Sequence, residues 1–150
     1  MNNNKLEDII QNFVVIGPLL KKKLISRSYK LSPSPFNHSH FQIMTVLNED
    51  GMKPISEVGK KLCISTPNMT KLLNKLIEEG MVERIPDKND RRIININLTE
   101  KGNLYLNEKL ERMKNLLKER LSTLSDDKID KLYYSSENLK NVLNEISSED

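Results

Sequence analysis

The fold of this chain is decided by residues 66–92, which read TPNMTKLLNKLIEEGMVERIPDKNDRR. Thr66 is a favourable helix N-cap and Pro67 suits the first helical position, while Gly80 is placed to cap the C-terminus of that helix. After the glycine come a short apolar stretch, a charged loop and, at residues 93–98, a second apolar stretch that ends in apolar-polar alternation. The pattern predicts a capped helix followed by two strands that a charged hairpin loop connects.

Two shorter helices precede the helix predicted at residues 66–79. The first lies at about residues 37–48 and ends at the turn formed by Asp50 and Gly51, and the second spans about residues 55–62. Two short helices, a capped helix and a hairpin, in this order, are the elements of a winged helix-turn-helix. The fold class is therefore predicted as mainly α with a small β-hairpin wing.

Three longer helices with apolar stripes flank this winged helix-turn-helix. The first, at about residues 5–29, should kink at Pro18 and ends before the proline-rich connector at residues 31–35. Thr99 and Ser125 are placed to cap the other two. The apolar residues of all three recur every three or four positions, and those of the last helix are predicted to face inward. Because these stripes are larger than one small winged domain can cover, we expect them to intertwine with a second copy across a two-fold axis.

The composition indicates a globular chain without disulfides or membrane spans. Hydrophobic residues make up 37% of the 150 residues and charged residues 30%, and Cys63 is the single cysteine. The longest apolar stretch, at residues 13–20, is far shorter than the roughly 20 residues that a membrane-spanning helix needs. No secretory signal pattern is recognisable near the N-terminus. We therefore expect a cytoplasmic protein.

The positive charge is concentrated around the predicted helix and hairpin. Residues 60–98 contain eight lysines and arginines against five acidic residues, whereas the rest of the chain is balanced. The predicted buried face of the helix consists of Met69, Leu72, Leu73, Leu76 and Ile77. The opposite face then carries hydroxyl, amide and lysine side chains and no carboxylate. Such a face can approach the base edges and phosphates of DNA.

Three segments resemble the multiple-antibiotic-resistance regulator (MarR) family of bacterial repressors. They are ISEVGKKLCISTPNMTKLLNKLIEEGMVER at residues 55–84, PDKNDRR at residues 86–92 and LTEKG at residues 98–102. The second is similar to the family's wing signature, and the third to the motif that opens its fifth helix. The resemblance implies a homodimeric repressor that binds a pseudo-palindromic operator in double-stranded DNA. It also implies a small, often aromatic effector that binds between the dimer helices and the winged domain and releases the DNA.

The predicted elements divide the chain into three parts. A dimerisation helix and connector occupy residues 1–35, a winged helix-turn-helix DNA-binding domain residues 36–98, and two C-terminal dimerisation helices residues 99–150. Half-sites on one face of DNA lie about 34 Å apart, so two recognition helices need a fixed spacing. We expect the outer helices to set that spacing in a homodimer.

The exposed face of the predicted recognition helix supplies the first candidate DNA contacts. The residues assigned to the major groove are Thr66, Pro67, Asn68, Thr70 and Lys71, and those assigned to the DNA backbone are Ser65, Asn74 and Lys75. Asn68 is the best candidate for an adenine edge, because a carboxamide can pair with that edge through two hydrogen bonds. Pro67 can contact a thymine methyl group but offers no hydrogen-bond donor.

The hairpin loop supplies the second set of candidate contacts. Arg91 and Arg92 lie in a polar turn, and arginines at a wing tip can enter the negative potential of a narrow minor groove. Asp87 and Asp90 would otherwise repel DNA, so we interpret them as groups that cap the turn and orient the arginines. The family resemblance points to Arg91 first, and it implies that an aspartate and an arginine of the wing form a pair.

Two alternatives to this interpretation stay open. A winged helix can serve as a protein-interaction module without specific DNA binding. Cys63, in the turn between two helices, is interpreted as a small packing residue, and the alternative is a redox-responsive regulator that acts through this thiol.

The sequence suggests no cofactor, no metal site and no enzyme. His38 and His40 are two residues apart and should point to different sides of their helix, so they are poorly placed to bind one ion together. We interpret them as a partly exposed cap and a packing residue. The chain has no glycine-rich phosphate loop and no close pair of carboxylates in an apolar setting.

Overall fold

The computed structural model describes residues 3–25 and 33–146 of the protein. The elements are, in order, α1 (Asn3–Leu20), a π-helical segment (Lys21–Ile25), α2 (His38–Asp50), β1 (Lys53–Pro54), α3 (Ile55–Lys61), α4 (Thr66–Glu78), β2 (Val82–Pro86), β3 (Ile94–Leu98), α5 (Glu100–Leu121) and α6 (Asp126–Glu145). The predicted fold class, mainly α with a small antiparallel wing, is confirmed. The part of the first predicted helix beyond residue 25 and the start of the connector lie outside the described residues.

The winged unit, Lys30–Arg112, has a core built from α2, α3, α4, the sheet and the start of α5. In α4, Met69, Leu73 and Leu76 are buried, and Leu72 and Ile77 lie half-buried beside them. The predicted inward face of this helix is thus confirmed. The other fully buried side chains of this core are Ile43, Met44, Val58, Val82, Ile96 and Leu106. Because one stripe of α4 packs on this core, the opposite face points outward.

The wing is a three-stranded antiparallel sheet with the strand order β1-β3-β2. β2 and β3 pair along their length, from Val82 opposite Leu98 to Pro86 opposite Ile94, which confirms the predicted hairpin. The first strand, β1, was not predicted, because a strand of two residues shows no alternation of apolar and polar side chains. Pro54 in β1 is compatible with its place at a sheet edge, where an amide hydrogen is not needed for pairing.

The N-terminus of α4 differs by one residue from the prediction. Ser65 is the N-cap, with extended backbone angles (φ −64°, ψ 149°), so the prediction that Thr66 caps the helix is wrong. Thr66 is instead the first helical residue and Pro67 follows it within the first turn. The Ser65 side chain makes no cap hydrogen bond. Pro67 fits here because the amide hydrogens of the first turn have no intrahelical acceptor.

The C-terminus of α4 is closed by Gly80. The helix ends at Glu78, one residue earlier than predicted, and Gly80 follows the C-cap residue with φ +70°. Its N–H donates to the Ile77 carbonyl at 2.9 Å, and the N–H of Met81 donates to the Leu76 carbonyl at 2.8 Å. These two bonds form a Schellman motif, whose left-handed residue is glycine in most helices because it lacks a Cβ.

Thr99 connects the two ends of the wing. Its hydroxyl donates to the carbonyl of Gly80, just before β2, at 2.6 Å. The same oxygen accepts the N–H of Gly102 in the first turn of α5 at 3.0 Å, which confirms Thr99 as the cap of that helix. One side chain therefore fixes the entry of the chain into the wing and its exit from it.

The N-terminal helix changes its hydrogen-bond spacing near Pro18. Pro18 lies inside α1, and the π-helical segment begins at Lys21, three residues later. Proline has no amide hydrogen and its ring crowds the preceding turn, so it weakens the regular α-helical bonding at this point.

The second unit, Met1–Tyr29 with Met113–Asp150, exposes its apolar stripes. The exposed apolar residues include Leu6, Ile9, Ile10, Phe13, Ile16 and Leu20 on α1, and Leu132, Tyr133, Leu139, Val142 and Leu143 on α6. The prediction that the α6 residues face inward is wrong for a single chain, because the described residues do not cover them. No helix in the described part of the chain is long and apolar enough to cross a membrane.

Candidate nucleic-acid interface

The outer face of α4 presents the residues that the sequence assigned to DNA. Ser65, Thr66, Pro67, Asn68, Thr70, Lys71 and Asn74 are exposed, and Lys75 is half-buried. The first carboxylate of the helix, Glu78, comes only at its last residue. The face is therefore a continuous surface of hydroxyl, amide and ammonium groups, at the positive end of the helix dipole.

Thr70 makes a local bond that limits what its hydroxyl can do. The hydroxyl donates to the Thr66 carbonyl one turn earlier, at 3.1 Å. Its proton is occupied by this bond, while the lone pairs of the oxygen remain able to accept. A base edge that meets Thr70 would therefore present a donor, such as the exocyclic amino group of adenine or cytosine.

The Asp87 carboxylate organises the wing loop. One of its oxygens accepts the N–H groups of Asn89 at 2.9 Å and Asp90 at 3.1 Å, and the other accepts the side-chain amide of Asn95 at 3.2 Å. The two backbone bonds, with the Asn95 bond, hold the pKa of Asp87 below its usual value. The carboxylate of Asp90 in turn accepts the N–H of Arg92 at 2.9 Å. The turn is shaped by these bonds from backbone to carboxylate.

The side chains of Arg91 and Arg92 extend from this turn toward solvent. Both residues are exposed, and within the described residues neither forms an ion pair with Asp87 or Asp90. The aspartate-arginine pair that the family resemblance implied is therefore not formed in the single chain. The physical reason is that both carboxylates bind backbone N–H groups of the turn. Both guanidinium groups remain available to an external anion.

We expect acid to loosen the wing loop. The pKa of Asp87 is lower in the folded chain than in the unfolded chain, so the ionised carboxylate stabilises the fold fully at any pH above the unfolded pKa. This stabilisation is lost as the pH falls through the folded pKa. In an NMR titration, the backbone amide resonances of Asn89 and Asp90 should shift together below about pH 4. The variant Asp87→Asn serves as the control and should show no such step. If the step persists in that variant, another group causes it.

Arg84 extends the candidate interface beyond the predicted residues. Its Nη2 donates to Oδ1 of Asn74 at 3.0 Å, and both side chains are exposed. From the sequence, Arg84 was predicted only as one of the eight cations of residues 60–98. The signal that could have placed it is its distance of two residues from the buried Val82 in β2, because residues two apart share one face of a strand.

An open groove of about 820 Å³ lies beside the N-terminus of α4. Its lining includes Ser65 and Thr66 from the start of the helix, Lys60 from α3 and Arg92 from the wing, with no acidic residue. Cys63 also lines it. This cysteine is exposed and has φ +53°, so the interpretation of Cys63 as a packing residue is wrong. The groove lies between the start of α4 and the wing, and Lys60 and Arg92 are its two cationic residues.

The two histidines have separate environments. His38 is exposed, whereas His40 is buried and its Nδ1 lies 2.7 Å from Oδ1 of Asn37, the N-cap of α2. Burial lowers the pKa of His40, and the positive charge of Lys75 lowers it further. Across residues 3–25 and 33–146, no cluster of three His, Cys, Asp or Glu side chains is arranged to hold a metal ion.

Comparison with known proteins relates this chain to transcriptional regulators. The sequence model of the MarR family matches residues 36–94. The transcriptional repressor MprA of Escherichia coli is 30% identical over 130 residues, which cover 85% of this chain and 74% of that protein. YpoP of Bacillus subtilis, an uncharacterized HTH-type transcriptional regulator, is 31% identical over 85 residues. That match covers 57% of this chain and only 60% of YpoP.

Solved structures show the same fold. The crystal structure of a mutant MarR from E. coli superposes with a TM-score of 0.71 at 26% identity, covering 86% of this chain and 93% of that chain. The mutant MarR complexed with operator DNA gives a TM-score of 0.62 at 24% identity, covering 88% of this chain and 95% of that chain. The architecture around α4 and the wing is therefore that of known winged-helix proteins.

Proposed function

Since this chain belongs to the MarR family of transcriptional regulators, we propose that it binds a specific operator in double-stranded DNA as a homodimer and represses transcription. In this proposal α4 lies in the major groove and the wing loop in the adjacent minor groove. The chain performs no catalytic step and works in the cytoplasm, where bacterial DNA is found.

The observation that carries this proposal is the surface formed by α4 and the wing. The outer face of α4 has no carboxylate before Glu78, and Arg91 and Arg92 extend from the wing with no acidic partner in the described residues. A solvated helix face without function commonly mixes both signs of charge, whereas this surface combines cations with short polar groups. MprA is named as a transcriptional repressor, and a mutant MarR has been solved in complex with operator DNA. Both relatives support the same assignment.

The exposed apolar stripes of α1 and α6 support the homodimer. Phe13 and Leu20 on α1 and Leu139 and Leu143 on α6 have 39% to 47% of their surface exposed, and further apolar residues continue each stripe. Contiguous apolar surface of this extent marks an association site. A second copy, related by a two-fold axis, would cover the same stripes on both chains and set the spacing of two α4 helices.

Selection from a pool of random duplexes tests the proposal and identifies the operator sequence in the same experiment. The purified full-length chain should enrich a pseudo-palindrome of about 16 to 20 base pairs, with half-site centres one helical turn apart. Enrichment without any shared motif would contradict specific binding and favour the protein-interaction alternative. A motif without internal symmetry would retain DNA binding but contradict the homodimer.

We expect Arg91→Ala to weaken binding to the selected duplex by about 1 to 3 kcal/mol. The guanidinium is exposed at the wing turn, so its loss removes a DNA contact without disturbing the fold. Fluorescence anisotropy with a labelled duplex measures the change. Lys131→Ala is the matched control, because Lys131 is an exposed cation on α6, outside the winged unit. Equal affinities of Arg91→Ala and the wild type would remove the wing tip from the mechanism.

We also propose that a small aromatic effector releases the DNA. The family resemblance of residues 55–102 supports this part of the proposal. Titration of aromatic acids into the protein-operator complex tests it by the fall in anisotropy. No release at millimolar concentration would contradict an aromatic acid as the effector.

A further inference from the structure

We infer that Arg84 is a positioning residue of the DNA-binding surface: its guanidinium fixes the carboxamide of Asn74 so that the NH₂ group of Asn74 is presented to DNA. The inference rests on the proposed function and adds to it the role of one residue on β2. Its basis is the hydrogen bond from Nη2 of Arg84 to Oδ1 of Asn74, at 3.0 Å.

The chemistry of the two groups sets the direction of this bond. A guanidinium only donates hydrogen bonds, so the atom of Asn74 that it meets is the carbonyl oxygen. The NH₂ group on the other branch of the carboxamide is then directed away from Arg84. Phosphate oxygens and most base edges in the major groove, including N7 and O6 of guanine, are acceptors. The bond therefore selects the orientation in which Asn74 can donate to DNA.

The orientation of the Asn74 carboxamide matters because Asn74 lies on the face of α4 that is proposed to meet DNA. Asn74 follows Thr70 by four residues and Lys71 by three in α4, which places it one helical turn farther along the same exposed face. An exposed asparagine without a partner samples several rotamers, and binding must then select one of them. A partner that already holds the productive rotamer removes part of this entropic cost.

Pairing within the wing sheet holds the backbone of Arg84 in place. Its backbone pairs with that of Ile96 on β3, and Ile96 is fully buried in the core of the winged unit. The buried Val82 lies two residues earlier on the same face of β2. The hydrogen bond thus joins the outer face of α4 to a strand residue whose pairing partner lies in the core.

A double-mutant cycle separates positioning from a direct contact of Arg84 with phosphate. The four proteins are the full-length wild type, Arg84→Ala, Asn74→Ala and the double variant, each titrated by anisotropy against the selected operator at several salt concentrations. We expect Asn74→Ala to bind about fivefold more weakly, as for one lost hydrogen bond. Arg84→Ala should lose less, about twofold, because Asn74 can still donate but is no longer held in place. The double variant should bind no more weakly than Asn74→Ala, because Arg84 acts through Asn74.

Additive losses would overturn the inference. If the double variant is weaker by about the product of the single effects, and Arg84→Ala also lowers the salt slope by about one, Arg84 contacts phosphate itself. If the wild type binds specifically and Arg84→Ala has the same operator affinity, the inference is overturned and the proposed function is not. A wild type that binds all duplexes equally overturns the proposed function, and the inference with it.

An NMR measurement on the DNA-free protein tests the contact itself. The side-chain amide resonances of Asn74 should shift in Arg84→Ala. They should stay in place in Glu83→Ala, because Glu83 precedes Arg84 and points to the other face of β2. Circular dichroism should show the same helical content in all variants, since Asn74 and Arg84 are exposed. Unchanged Asn74 resonances in Arg84→Ala would overturn the inference whatever the DNA titrations show.

Discussion

Gly102→Ala should destabilise the winged unit by about 3 kcal/mol and lower its Tm by roughly 10 °C. A Cβ at this position would lie 2.1 Å from the carbonyl oxygen of Met81, 2.9 Å from its carbonyl carbon and 3.1 Å from Cδ2 of Leu98. The Met81 carbonyl belongs to the backbone and accepts the N–H of Thr99 at 3.0 Å, so it cannot move aside without loosening the start of α5. The gain in helix propensity from glycine to alanine, about 1 kcal/mol, is too small to offset this overlap.

Thermal denaturation followed by circular dichroism measures this effect. Asn107→Ala is the matched control, because Asn107 is exposed on the same helix and its change should stay within about 0.5 kcal/mol. If Gly102→Ala is as stable as this control, the close approach of α5 to Met81 is not a feature of the folded protein.

Leu143→Glu should convert the proposed homodimer to a monomer at micromolar concentration. Leu143 lies on the apolar stripe of α6 and is 47% exposed in the single chain. In the proposed dimer a second copy covers this stripe, so a glutamate there would be buried without a partner, at a cost of about 3 to 5 kcal/mol. Sedimentation velocity measures the change in mass, and anisotropy should show the accompanying loss of operator affinity, because one copy contacts only one half-site.

The control for this variant is Asn141→Glu. Asn141 is exposed on α6, and two residues along a helix turn its side chain about 200° away from Leu143. This variant carries the same new charge and should remain a dimer. Dimers of full mass for Leu143→Glu would contradict the assignment of the α6 stripe to the dimer interface.

The sequence predicted the winged unit well where periodicity and capping agree. In α4, Met69, Leu73 and Leu76 follow helical spacing and are buried, and Gly80 closes the helix as expected. Periodicity reports which face of a helix is apolar, but it does not report what covers that face. The stripe of α6 was therefore recognised correctly, and its prediction as inward-facing failed for the single chain.

The features that the sequence did not predict depend on contacts between separate elements. The bond between Asn74 and Arg84 joins two residues whose rotamers are set only once α4 and β2 are packed side by side. In the wing, Asp87 and Asp90 bind backbone N–H groups, which confirms their interpretation as caps of the turn, but the aspartate-arginine pair that the family resemblance implied is not formed in the single chain.

The most direct test of the proposed function compares two duplexes. Wild-type protein is titrated by anisotropy against the selected operator and against a shuffled duplex of the same composition, at one fixed, physiological salt concentration. The proposed function predicts that the operator binds at least about a thousandfold more tightly, with one dimer per site. Equal affinity for both duplexes would contradict it and would leave the α4 and wing surface as a nonspecific basic patch.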